Sequence, residues 1–369
     1  MGSEPVRPLH FLVGCPRSGT YLLSAILNNS RRVAFPRETH FIPLFPPYLW
    51  LAGELRHPQA RRRLTRGIFM FLRIWLARAE EERDFATVTR HSLLAIEGEA
   101  DHIVDAACNY AELVRGLFAA YAHSQGAEMA GDKSPFFDHI PLERMDAAVG
   151  GQARFIHIIR DGRDVCLSWL KIKVGPRTLA EAAQKWAQHV AGKRAWGALH
   201  PDRYHELRYE DLLTESKKTL AGACSFVGIP SSDDLLKFHL SEFAAGIAVN
   251  SSQARLGQPL DTGNCDKWRT EMATEEVAAF EAIAGSVLAD CGYPLVGTGS
   301  VPVRTSGRLR EILSIRRLRL ALKSLLPACV LIAVRLHIPL DRLCNSHRWL
   351  RAESWLVGRN SQPKNRRAP

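Results

Sequence analysis

The chain has 369 residues, 46% of them hydrophobic and 24% charged, with a net charge of +11. This ordinary globular composition excludes a collagen-like, low-complexity or disulfide-scaffold protein, and the length allows one large domain with extensions or two modest ones. The charge is unevenly placed: residues 301–369 hold fifteen Lys/Arg against three acids, a net of +12, whereas the rest holds 34 basic and 35 acidic residues.

The eight cysteines form no C-x-x-C pair and no zinc-like cluster with histidine, which predicts free thiols in a reducing, cytoplasmic compartment. The opening "MGSEPVRPLH" has no long apolar region and is not expected to act as a signal peptide.

In chain order, the apolar run 9–13 (LHFLV) predicts a buried strand, ended by Gly14. "TYLLSAILNN" places Leu22, Leu23, Ile26 and Leu27 at helical spacing, with Asn28 and Asn29 suited to the end. From Pro43 to about Ala130 the pattern is helical. "GDKSPFF" (131–137) is polar, glycine-led and proline-closed, and so reads as a loop. "RFIHIIRDGRD" (154–164) is a second strand-to-turn unit, which "CLSWLKIK" continues as a helix. A helix follows over 179–196, then a strand entering a turn over 203–213, then helices over 214–228 and 273–290. Strands alternating with helices predict an α/β fold, a central parallel sheet covered on both faces. The charge break divides the chain into a main domain, 1–300, and a basic, partly helical extension, 301–369.

Strand, loop and helix in succession point several backbone N–H groups at one spot, a geometry that binds anions. The loop is Gly14-Cys15-Pro16-Arg17-Ser18-Gly19-Thr20. Its two glycines match a P-loop frame, but Thr20 stands where the lysine of the Lys-Ser/Thr ending belongs. Ordinary nucleoside triphosphate chemistry needs that pair for phosphate and magnesium, and is disfavoured. Arg17 supplies charge instead, and Ser18 and Thr20 supply hydroxyls. The second unit, "IIRDGRDVCLSW", puts Arg160 at a strand end and Ser168 eight residues on, positioned to converge on a second phosphate.

"GCPRSGT" followed by "RDGRDVCLS" resembles the paired motifs of sulfotransferases that use 3′-phosphoadenosine 5′-phosphosulfate. The resemblance implies a P-loop-like fold over about residues 9–296, with that nucleotide as donor and no metal. It implies that Arg17, Ser18, Gly19 and Thr20 hold the 5′-phosphosulfate, and that Arg160 and Ser168 hold the 3′-phosphate. "FPRETHFIP" (35–43) is similar to the "GEETRIIP" stretch of tyrosylprotein sulfotransferases and lies at the same distance from the loop arginine. There the glutamate before the threonine is the catalytic base, which carried over is Glu38. His40 departs from that pattern, where the family has arginine; it either assists the base or marks a different acceptor. "GDKSPFF" resembles the Lys-x-Pro-Phe loop of the same enzymes and implies that Lys133 contacts the leaving oxygen. Tyr209 is either a nucleotide neighbour, as in similar sulfotransferases, or core. Ser252 (or Ser251, since the spacing differs by one) and Lys267 resemble a segment covering the cofactor, and Trp268 is either core or part of the adenine region.

The acceptor implied is a hydroxyl on a peptide tyrosine, a carbohydrate or a lipid. Two other readings stay open: a P-loop-like nucleotide kinase, and a non-catalytic protein binding membrane or nucleic acid through its basic tail, although no nucleic-acid reader motif is present. In residues 318–340 the longest uncharged stretch, 324–334, is too short to span a bilayer. It either packs on the body or lies on an anionic membrane.

Overall fold

The computed structural model describes residues 8–79, 89–133, 140–171, 175–248, 251–296 and 325–338. The chain runs β1 (Leu9–Val13), α1 (Thr20–Asn28), β2 (Val33–Ala34), a 3-10 turn (Pro46–Leu51), α2 (Pro58–Ala79), α3 (Ala100–Ala106), α4 (Tyr110–Ser124), β3 (Met129–Lys133) and α5 (Leu142–Ala148). It continues β4 (Ala153–Ile159), α6 (Gly162–Leu170), α7 (Leu179–Leu199), β5 (Tyr204–Arg208), α8 (Tyr209–Thr214), α9 (Ser216–Val227), α10 (Glu242–Ala248), α11 (Trp268–Glu271), α12 (Thr274–Asp290) and α13 (Leu326–Arg335).

Among the described residues the strands form one five-stranded sheet in the order β2-β3-β1-β4-β5. Every pairing is parallel, with Leu12 opposite Lys133 on one side and Ile156 on the other. β1 is buried along its whole length and β4 nearly so, as expected of strands covered on both faces. On one face Phe11 stacks on Phe155 at 5.3 Å, and the cluster they join reaches α2 and α4. On the other, Leu12, Ile156 and Ile158 pack with residues of α1, α9 and α10. A third cluster joins α6, α7 and α12.

Local signals set the helix starts. Asn109 accepts from the Glu112 N–H at the head of α4, Thr178 accepts from the Glu181 N–H at the head of α7, and Asp161 accepts from the Arg163 N–H at the head of α6.

Three expectations need correction. Residues 131–133 are not loop but the last three residues of β3, between β2 and β1. A Cβ on Gly131 would lie 2.0 Å from the Phe35 ring, so the strand passes there only as glycine. Asp132 and Lys133 are buried because partners meet them: the Thr39 hydroxyl donates to Asp132 at 2.9 Å, and Lys133 donates to Glu38. The rest of "GDKSPFF", residues 134–137, lies outside the described residues. The helix after β4 begins at Gly162, so Ser168 sits nearly two turns inside it. β5 passes into a helix at Tyr209 with no intervening turn.

Helix α13 lies inside the stretch assigned to the basic extension, yet Val330, Leu331 and Ala333 are buried in the same cluster as α2 and the first face of the sheet. The remainder of 301–369 lies outside the described residues.

Candidate active site

In a parallel sheet all strands end on one edge, and ligands of such sheets bind there. Along this edge the chain sets a row of chemically active side chains. Glu38 comes four residues after β2, Lys133 is the last residue of β3, and the Gly14–Gly19 loop follows β1. Arg160 follows β4, and Tyr209 follows β5.

The loop after β1 is held open by two left-handed residues, Arg17 at φ 76° and Gly19 at φ 92°. A Cβ on Gly19 would stand 2.5 Å from the Tyr209 ring, so this position needs glycine for both space and conformation. The Ser18 N–H donates to the Cys15 carbonyl at 3.0 Å, closing the turn. Ser18 itself is buried, and its Oγ has no hydrogen-bond partner among the described residues. The Arg17 guanidinium donates from Nε to Ser168 Oγ at 3.0 Å, bridging the two phosphate motifs. Arg160 donates to the Arg17 carbonyl at 3.3 Å, to Asp164 at 3.2 Å and to the Asn264 carbonyl at 3.0 Å, while its Nε is buried without a partner among the described residues. Its guanidinium lies 4.6 Å from the centre of the Tyr209 ring, whose hydroxyl accepts from Asn264 Nδ2 at 2.7 Å.

A cavity of about 130 Å³ opens here, lined by Arg17, Gly19, Thr20, Tyr21, Arg160, Tyr209, Arg255 and Asn264 among others. Burial and then the neighbouring Arg160 push the Arg17 guanidinium down from its ordinary value. Burial and then Arg255 and Arg160 do the same to Lys267. Arg255 also pairs with Asp261. Cations crowded against one another, a buried hydroxyl without a partner among the described residues and the first turn of α1 together suit a polyanion.

Three of these lining residues, Tyr21, Arg255 and Asn264, were not foreseen from the sequence. Arg255 and Asn264 sit in the polar stretch "NSSQARLGQPLDTGNCDKW", whose one readable sign was an arginine between the two cover residues already named. Ser252 falls in the 3-10 turn Ser251–Gly257, and its side chain lies outside the described residues. Trp268 is core: it is buried, with the Arg163 guanidinium 3.5 Å above its ring.

The carboxylate and the lysine meet beside this cavity. Lys133 Nζ donates to Glu38 Oε1 at 2.5 Å and sits 2.8 Å from the centre of the Tyr21 ring, which belongs to the cavity wall. His40 Nε2 lies 2.9 Å from Glu38 Oε2, so each carboxylate oxygen has its own partner. His40 reaches back because the chain turns there. Its φ is 57°, and the Phe41 N–H donates to the Thr39 carbonyl at 2.7 Å. That is a three-residue turn with positive φ at its centre, a rare and strained form. The His40 ring rests against Trp75 with centroids 4.4 Å apart. The segment is anchored by Arg37, whose N–H donates to the His91 carbonyl and whose guanidinium donates to the Gly246 carbonyl, both at 2.8 Å.

Burial alone would raise the Glu38 carboxyl; Lys133 and His40 overcome it and hold the group at about 2. Burial pulls the Lys133 ammonium down to about 8 against the opposing pull of Glu38.

The profile of the sulfotransferase family matches residues 8–234, which include the edge from Arg17 to Tyr209. The sulfotransferase domain of the Synechococcus PCC 7002 olefin synthase shares the fold at a TM-score of 0.55 and 21% identity, over 80% of this chain and 98% of that one. The sulfotransferase domain from the curacin biosynthetic pathway does so at a TM-score of 0.53 and 18% identity, over 79% of this chain and 100% of that one. At such identities the likeness is one of fold. No curated protein sequence matches the chain.

Proposed function

The chain belongs to the sulfotransferase family, and on that premise we propose that it moves a sulfuryl group from 3′-phosphoadenosine 5′-phosphosulfate to a hydroxyl of a peptide tyrosine, a carbohydrate or a lipid. The observation that carries this reading is the single edge on which Glu38, Lys133, Arg17, Arg160 and Tyr209 stand in order beside one cation-lined cavity. The donor, when bound, supplies an activated sulfuryl group. Arg17, Ser18, Gly19 and Thr20 would hold its 5′ end, and Arg160 with Ser168 its 3′-phosphate. Tyr209, Lys267 and Ser252 would cover the nucleotide. The unpartnered Ser18 Oγ and Arg160 Nε favour an anion at both places.

Glu38 takes the proton of the acceptor hydroxyl as the new oxygen–sulfur bond forms. Lys133 offsets the negative charge that grows on the departing phosphate oxygen. In the structure these two occupy each other. A carboxyl held at about 2 is ionised at neutral pH but weakly basic. An anionic donor competes with Glu38 for Lys133. Once Lys133 turns to it, burial, the largest influence on the carboxyl, raises its basicity. Donor capture and arming of the base are thereby one event, which favours donor binding before chemistry.

Incubating cell extract with the purified chain and sulfur-labelled donor tests the reading. We expect labelled product with the wild-type chain and none with Glu38→Gln, although both bind adenosine 3′,5′-bisphosphate. Equal labelling by both proteins contradicts the assignment of the base.

A further inference from the structure

Helix α13 is apolar on every side. No residue from Leu325 to Val334 is charged. One side, formed by Pro327, Val330, Leu331 and Ala333, is buried. It seats on α2, where Leu331 Cδ2 lies 2.7 Å from the point a Cβ on Gly67 would occupy. Among the described residues nothing covers the other side. Leu325, Cys329, Ile332 and Leu336 recur at intervals of four, three and four, which places them on one helical face. Leu325 is 45% exposed, Ile332 43% and Leu336 64%, and Cys329 is exposed with them. Trp50, on the 3-10 turn that packs beside α13, is 71% exposed. A surface helix ordinarily turns polar residues to water on this side, and a helix apolar all round is ordinarily covered all round.

Charge says what fits. Exposed Arg66 adjoins Gly67 on α2, and exposed Arg335 and His337 close the other end of α13. In sequence, residues 301–369 carry a net charge of +12. Two copies bringing these faces together would also bring like charges together, which opposes self-association. An apolar stripe within basic sequence matches an anionic lipid surface. The run is too short to cross a bilayer, and among the described residues no helix is long and apolar enough to do so.

We propose that α13 docks the protein on anionic phospholipid, with Leu325, Ile332, Leu336 and Trp50 in the interfacial layer and Arg335 at the headgroups. This goes beyond sulfuryl transfer and stands without it. The test is flotation of the full chain with vesicles of phosphatidylcholine, with and without phosphatidylglycerol. The chain is expected to float with the anionic vesicles and to be released by salt. The double variant Ile332→Ser, Leu336→Ser should lower the partition coefficient about tenfold or more, and Trp50→Ala a few-fold. All three positions are exposed, so circular dichroism and nucleotide binding should match the parent. Absence of flotation overturns the proposal, as does equal flotation of the double variant. A dimer in sedimentation that the double variant dissolves, with no vesicle binding, would assign the face to a second copy instead.

Discussion

Replacing Glu38 by glutamine keeps the side chain's size and removes its charge and basicity. The paired shifts give the magnitude. Lowering the carboxyl from 4.5 to about 2 stabilises the fold by about 3 kcal/mol at neutral pH. Lowering the ammonium from 10.5 to about 8 costs about the same. The attraction between the two groups enters both shifts, so the two figures do not add; the cost of burying each charge and their mutual attraction oppose one another, as in other buried ion pairs. Glu38→Gln removes the favourable half and leaves Lys133 buried without its carboxylate, a loss of about 3–5 kcal/mol. The sign follows from proton binding. Glu38 is depressed in the fold, so its contribution is present above about 4.5 and fades as pH falls toward 2. Lys133 is also depressed, so the unfolded chain holds the extra proton and wild-type stability rises from about pH 8 to 10.5. Without Glu38, which raises the ammonium, that rise should begin below pH 8. Urea unfolding between about pH 6 and 10 reads this onset. Label transfer should fall about a hundred- to ten-thousandfold with donor affinity little changed. A variant as stable as the parent, with the same onset, would mean that the buried pair does not form. Near-normal transfer would remove Glu38 from the chemistry.

His40→Gln should lower turnover about tenfold, less than Glu38→Gln. It should also move the acidic limb of the pH–rate profile upward, since His40 helps hold the carboxyl down; collapse here with normal turnover in Glu38→Gln would pass the role of base to histidine. Gly19→Ala combines a φ of 92° with a Cβ 2.5 Å from Tyr209, so it should cost at least about 1–2 kcal/mol in thermal unfolding and weaken nucleotide binding; an unchanged melting temperature would contradict the loop geometry. A chain ending near residue 300 loses α13, and with it the buried Val330 and Leu331, for about 3–6 kcal/mol by differential unfolding; an unchanged transition would show that α13 is not part of the core.

The sequence made β1, β4 and the loop between β1 and α1 legible because continuous apolar runs ended by glycine or arginine leave few alternatives. Glu38 and Lys133 were legible only through resemblance, since each alone reads as a surface charge; their contact across β2 and β3 depends on long-range pairing that no local pattern encodes. β3 was hidden for a related reason. Its Gly-Asp-Lys end looks like loop because its polar groups are satisfied by residues 93 and 95 positions earlier in the chain. β2 is two residues long and carries no periodicity. Arg255 and Asn264 lie on a polar segment whose return to the sheet edge is set by tertiary packing. For α13 the sequence supplied the apolar run, but a helix apolar on every side has no phase to show which face is covered.

Calorimetric titration with adenosine 3′,5′-bisphosphate and adenosine 5′-phosphate, for the parent chain and Arg160→Ala, tests most directly whether the edge holds a nucleotide with two separated phosphates. One bisphosphate should bind per chain. Arg160→Ala should weaken it about ten- to 150-fold, the loss of one charge-assisted contact, while affinity for the 5′-phosphate changes far less. Absence of saturable bisphosphate binding, or an equal loss for both ligands, would contradict the account.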